Sequence, residues 1–150
     1  MLAKLTSLLF MALLGLLLGL LGRSFGGAVA TWLAARTSPA ALIVESSFDR
    51  MQSLAKVHDP LLSRLVPLRV TFPAVEQMTS AQAPLLILHR PDDEIVPVQL
   101  GRRLYGAAPE PKRFVELRGG HNEGFLRSQP QYQQALGAFL DQITGPGRLQ

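Results

Sequence analysis

The chain has 150 residues, 47% of them hydrophobic and 17% charged, with a net charge of +4. That balance excludes disorder as the main state and supplies apolar material for one core. Cysteine is absent, which excludes disulfides, a thiolate nucleophile, and thiolate zinc or iron–sulfur sites. The three histidines are scattered and do not suggest a metal site. The basic residues form no run, which argues against a nucleic-acid partner.

In chain order, residues 5–22 come first. They carry no charge and are flanked by Lys4 and Arg23. The run meets the lower limit for a membrane span, which needs about 20 residues. A basic start before an apolar stretch is also a signal-peptide pattern. The end of the run, residues 16–21, reads equally as a buried strand of a parallel sheet. The expected compromise is a helix over 2–14, a break near Gly15 and a strand over 16–21. Membrane association, if any, attaches to residues 5–22, and the compartment stays open between cytoplasm and membrane.

Beyond that run, apolar strands alternate with helices. Residues 26–36 read as a helix with Ala28, Val29, Trp32 and Leu33 on its core face, ended before Pro39. Residues 41–45 form a short buried strand. Residues 48–68 are mixed, with one or two short helices and breaks at Pro60 and Pro67. Residues 73–78 make a helical turn, 84–89 a second apolar strand and 98–108 an amphipathic helix. Residues 113–117 alternate like a strand, and 129–143 form a last helix with Pro130 in its first turn. Trp32 and Phe139 are expected in the core, His89 as a structural histidine, and His58 facing solvent. Such alternation implies parallel βα units and an α/β class. Three parts follow: an apolar segment 1–15, a domain 16–143 and a flexible tail 144–150.

Three loops carry the chemistry. Gly22-Arg23-Ser24-Phe25-Gly26 is a G-x-S-x-G between an apolar run and a helix. In that motif the serine sits on a strained strand-to-helix turn that tolerates only small neighbours two residues away. The turn aims the following N–H, here that of Phe25, at the position where an oxyanion forms. Asp92, Asp93 and Glu94 lie beyond the strand 84–89, at the sheet end where ligands bind in open parallel sheets. His121 follows Gly119 and Gly120, which let a loop carry the imidazole across that end. The chain order Ser…Asp…His is that of the α/β-hydrolase triad.

From about residue 16 to 140 the chain resembles the C-terminal half of an α/β-hydrolase. It is most similar to small lidless serine hydrolases of the esterase, depalmitoylase and lysophospholipase-like type. The resemblance rests on GRSFGGAVATWLA, ALIVESSF, APLLILHRPDDEIVP and FVELRGGHNEGF. It implies about four mainly parallel strands with flanking helices, the family's N-terminal strands being missing. It implies Ser24 as nucleophile, Asp93 as triad acid and His121 as general base, with Asp92 the fallback acid. Arg23, Ser46 and Phe48 are expected near the substrate, a small acyl ester or thioester, and neither cofactor nor metal is called for. Two departures stand out. Arg90 occupies the glycine position of the family's H-G-x-x-D-x-x-V-P pattern, and no His-Gly-Gly segment supplies a second oxyanion donor. The reading is a serine hydrolase working through an acyl-enzyme. The alternative is a catalytically impaired, membrane-associated partial domain.

Overall fold

The computed structural model describes residues 19–65 and 71–145. Four strands form one parallel sheet: β1 (Leu20–Arg23), β2 (Leu42–Glu45), β3 (Leu85–His89) and β4 (Lys112–Glu116). Their spatial order is their chain order, β1-β2-β3-β4. Seven helical segments connect and follow them. These are α1 (Phe25–Thr37), α2 (Met51–His58), α3 (Leu62–Leu65), α4 (Ala74–Met78), α5 (Val98–Ala107), α6 (Gly124–Arg127) and α7 (Gln131–Thr144).

The central strands are apolar because both faces of a parallel sheet are covered by helices. Side chains of a strand alternate between faces, and the core divides accordingly. Leu42, Val44, Leu85 and Ile87 pack with Ala28, Ala34, Leu100 and Leu104 of α1 and α5. Ile43, Leu86 and Leu88 point the other way, onto Ala135 and Phe139 of α7. In β2, Glu45 continues the fully buried pattern although it is an acid.

The strand expected at 16–21 is described over Leu20–Arg23, so it reaches two residues further than expected. Leu20, Leu21 and Gly22 pair with Leu42, Ile43 and Val44. These three positions therefore cannot belong to a helix running through to Gly22, because their backbone groups are committed to the sheet. The expected helix over 2–14 and the rest of the apolar run lie outside the described residues. Among the described residues no helix is long and apolar enough to cross a membrane.

The core face of α1 also differs from expectation. Its buried residues are Gly27, Ala28, Ala30, Thr31 and Ala34. Val29 and Trp32 stay 43% and 47% exposed. The helix lies close to the sheet, and only small side chains fit between them: a Cβ on Gly27 would sit 2.5 Å from Ser47 Cβ and 3.1 Å from Val44 Cγ1. The bulky residues turn outward, where Phe25, Val29 and Trp32 fall at i, i+4 and i+7 on one helix face. Phe139 is 2% exposed and sits in the core as expected. α7 continues through Thr144, one residue into the expected tail. The short α6 had no counterpart in the sequence reading.

This division between core and surface aromatics has a measurable consequence. Phe139→Ala should lower the unfolding free energy by about 3–5 kcal/mol, the usual loss for a buried aromatic. Trp32→Ala should lower it by about 1 kcal/mol or less. Urea unfolding of the two variants followed by circular dichroism checks the ranking, and equal losses would contradict the exposed placement of Trp32.

Candidate active site

Ser24 follows the last residue of β1 and caps α1 with φ 53° and ψ −122°. A positive φ is unusual for a residue with a Cβ and stores about 1–3 kcal/mol of strain. The turn is held on both sides. Ser24 N–H donates to Glu45 O at 2.8 Å, and Gly27 N–H donates to Ser24 O at 3.0 Å. Phe25 is the first residue of α1, so its N–H has no acceptor within the helix and is free to meet an anion at the positive end of the helix dipole.

The two glycines of the motif are not equivalent. A Cβ on Gly22 would lie 2.2 Å from Gly26 O and 2.8 Å from Ala30 Cβ, so the strand and helix can meet only at a glycine. A Cβ on Gly26 would meet nothing within 4 Å. The expectation that both positions need a tiny residue holds for Gly22 alone.

The side chains expected as acid and base are joined. His121 Nδ1 lies 2.9 Å from Asp93 Oδ1 and 2.8 Å from Oδ2, with both residues buried. With the Nδ1 proton shared with the carboxylate, the neutral imidazole keeps its lone pair on Nε2. Asp93 Oδ1 also accepts the N–H groups of Ile95, at 3.0 Å, and Val96, at 2.7 Å. Burial pushes the Asp93 carboxyl up, but donation by Val96 N–H, His121 and the Ser46 hydroxyl outweighs it and holds the group below its ordinary value. Asp92, the fallback acid, is exposed. Among the described residues no hydrogen bond joins the Ser24 hydroxyl to His121.

Ser24 and His121 are nevertheless tied to one end of the sheet. Arg23, expected at the substrate, is engaged with protein. Its Nη2 donates to His121 O and lies 3.5 Å from Asn122 Oδ1, while its Nε is 3.6 Å from Glu45 Oε1. Glu94 takes part as well, since its Oε2 accepts the His121 N–H at 3.0 Å. Glu94 is exposed, a surface neighbour of Asp93, and this contact adds to that placement. A sequence cannot show that a side chain reaches the main chain of a distant loop.

Ser46 and Phe48 are both interior, 0% and 1% exposed. Phe48 belongs to the core around β2, with its ring centroid 6.5 Å from that of Phe25. Neither side chain is exposed in the structure. His89 is wholly buried, with Nε2 2.8 Å from Val96 O, and burial drives its pKa down. His58 is exposed, and its Nε2 lies 2.6 Å from Ile95 O. A cleft of about 330 Å³ beside α1 is lined by Ala28, Trp32, Phe72 and Ala74 among others, and none of Ser24, Asp93 and His121 lines it. Among the described residues no three His, Asp or Glu side chains gather as a metal site needs.

No family model matches the chain. It is 38% identical over 128 residues to Rv2307c, an uncharacterized protein of Mycobacterium tuberculosis, covering 85% of this chain and 46% of that one. It is 32% identical over 146 residues to the lysophosphatidylserine lipase ABHD12 of Danio rerio, covering 79% of this chain and 38% of that one. Among solved structures it superposes on the esterase domain of a Rhodothermus marinus protein with a TM-score of 0.60. There the identity is 20%, over 80% of this chain and 58% of the other. The chain holds part of the α/β-hydrolase fold. It spans less than half the length of these two sequence relatives.

The inequality of the two glycines is testable. Gly22→Ala should destabilise the protein by about 2 kcal/mol or more, because the new methyl meets backbone that cannot move aside. Gly26→Ala should be neutral or stabilise by up to about 1 kcal/mol, since alanine is the better helix residue. Denaturant titrations of both variants decide it, and a comparable loss in each would contradict the geometry of the turn.

Proposed function

We propose that the chain is the triad-bearing part of a serine hydrolase that cleaves a carboxylic ester or thioester. The observation that carries this reading is the His121 imidazole seated on both oxygens of Asp93, at the sheet end where Ser24 is held in its strained turn. A serine hydroxyl becomes a competent nucleophile when a base removes its proton during attack. His121 Nε2 takes that proton as Ser24 Oγ bonds to the substrate carbonyl carbon. The negative oxygen that results faces the Phe25 N–H. When the tetrahedral species collapses, the C–O or C–S bond to the leaving group breaks, and His121 returns the proton to the departing alcohol or thiol. Water repeats the sequence on the acyl-enzyme and releases the carboxylic acid. Asp93 stays ionised throughout, fixing the tautomer and stabilising the imidazolium. The relatives named as lipase and esterase support hydrolysis of an ester.

Steady-state hydrolysis of a p-nitrophenyl ester by the full chain tests the roles. Ser24→Ala should reduce turnover by roughly 10³-fold or more, because triad members act as a unit. Asp93→Asn should cost about as much through the wrong imidazole tautomer, and Asp92→Asn should change the rate by less than about twofold. Retained turnover in Ser24→Ala would overturn the assignment. A loss confined to Asp92→Asn would move the acid to that residue. No hydrolysis by the unaltered chain would favour the catalytically impaired reading.

A further inference from the structure

His121 is attached twice. Its ring is bonded to Asp93, and its main chain is gripped separately, on both sides of the residue. The His121 N–H donates to Glu94 Oε2 at 3.0 Å. The His121 carbonyl accepts from Nη2 of Arg23, and the same nitrogen lies 3.5 Å from Asn122 Oδ1. A carboxylate thus meets the main-chain donor and a guanidinium meets the main-chain acceptor. Both are charge-assisted hydrogen bonds, the stronger kind.

The two grips come from the chain segments that bear the other members of the expected triad. Arg23 ends β1 and precedes Ser24, and Glu94 follows Asp93 in the loop after β3. Among the described residues no hydrogen bond joins the Ser24 hydroxyl to His121, so Arg23 supplies the tie between the strand of the serine and the loop of the histidine. Its guanidinium is braced in turn. Nε lies 3.6 Å from Glu45 Oε1, and Glu45 is fixed by Arg90 Nη2 at 2.7 Å and by the Tyr132 hydroxyl at 3.1 Å. The other grip is fitted as closely. A Cβ on Gly120 would lie 2.7 Å from Glu94 Oε2, so a side chain there would push the carboxylate off the His121 N–H.

We propose that Arg23 and Glu94 are positioning residues that clamp the His121 main chain from both sides and so set where the imidazole stands relative to Ser24. Asp93 orients the ring, and the clamp fixes the backbone that carries it. The clamp is a property of the fold, and only its kinetic consequence rests on the hydrolase reading. Proton transfer from Ser24 Oγ to Nε2 requires hydrogen-bond reach, and misplacing a reacting group by about 1 Å can cost about 10²-fold in rate. Loosening the base therefore slows the chemical step, whereas losing a substrate contact weakens binding. Both side chains can be removed without stranding a buried charge. The Arg23 side chain is 41% exposed and Glu94 lies at the surface, and Glu45 keeps Arg90 and Tyr132 when Arg23 is lost.

The test uses the full chain with Arg23→Met, Arg23→Lys, Glu94→Ala, Glu94→Gln and the double variant Arg23→Met with Glu94→Ala. Two sets of quantities are read. One is amide hydrogen exchange by NMR at His121 and, for comparison, at Leu86 and Leu88 in the buried strand β3. The other is kcat and KM for a p-nitrophenyl ester. In Arg23→Met and in Glu94→Ala, exchange at His121 should accelerate by about 10-fold or more, with Leu86 and Leu88 unchanged. In the same variants kcat should fall roughly 10- to 100-fold, with KM within about twofold. Glu94→Gln keeps an oxygen that can accept the His121 N–H and should stay within about threefold of the unaltered protein in exchange and in kcat. Arg23→Lys keeps the charge but loses the planar fork, and should fall between Arg23→Met and the unaltered protein. The double variant should lose less than the product of the two single losses, because both residues hold one main-chain unit. Unchanged exchange at His121, or unchanged kcat in an active protein, in Arg23→Met and Glu94→Ala would overturn the clamp. Equal acceleration at Leu86 and Leu88 would overturn it too, by marking a general loss of stability. A raised KM at constant kcat in Arg23→Met would instead make Arg23 a substrate contact. If the unaltered chain hydrolyses nothing but exchange at His121 responds as described, the hydrolase reading falls and the clamp stands.

Discussion

The common level at which the parallel strands end is the constraint from which the site follows. Arg23 pairs with Glu45, Glu45 with Leu88, and His89 with Glu116. Each strand therefore delivers its next residue to the same edge of the sheet. Ser24, Ser46 and Arg90 stand one step beyond β1, β2 and β3, and the loop after β4 carries His121. Because side chains on a strand alternate between faces, a shift of register by one residue would turn every one of these groups to the wrong side. The apolar runs in β2 and β3, buried on both faces, hold the register.

That edge concentrates charge out of water. Glu45 meets Arg90, Tyr132 and Arg23, and Asp93 meets His121 and two N–H groups. Removing one partner from a buried ion pair typically costs about 3–5 kcal/mol, since the other charge is left stranded. The strain at Ser24 and the buried pair at Glu45 are thus both sustained by neighbouring contacts: the first by Gly22 and the N–H to Glu45 O, the second by the closed set of donors around it. Arg23 links the two, since it precedes Ser24, leans on Glu45 and holds the His121 main chain.

Much of this was legible in the sequence. The alternation of strands and helices, the parallel sheet and the pairing of an acid after β3 with His121 could be read from local patterns, because apolar runs, glycines and motif order are local signals. What was not legible depends on partners far apart in the chain. Arg90 looked like a defect in a turn. Its partners are 44 and 45 residues away, and nothing near it announces a buried cation. Glu94 is on the surface, and its reach to the His121 main chain was hidden for the same reason. Trp32 has the residue type of a core position, yet the small residues of α1 face the sheet and push it outward. Ser46 and Phe48 lie just past the strand end, as read, but their depth depends on what packs over that loop, which no strand pattern encodes.

The central claim is that Ser24 is a nucleophile served by the Asp93–His121 pair. The most direct measurement is reaction of the full chain with a fluorophosphonate, followed by peptide mapping of the adduct by mass spectrometry. A single adduct on Ser24, absent in His121→Ala and Ser24→Ala, is the predicted result. An unmodified chain, or an adduct that forms on another residue or persists when His121 is removed, would contradict the account.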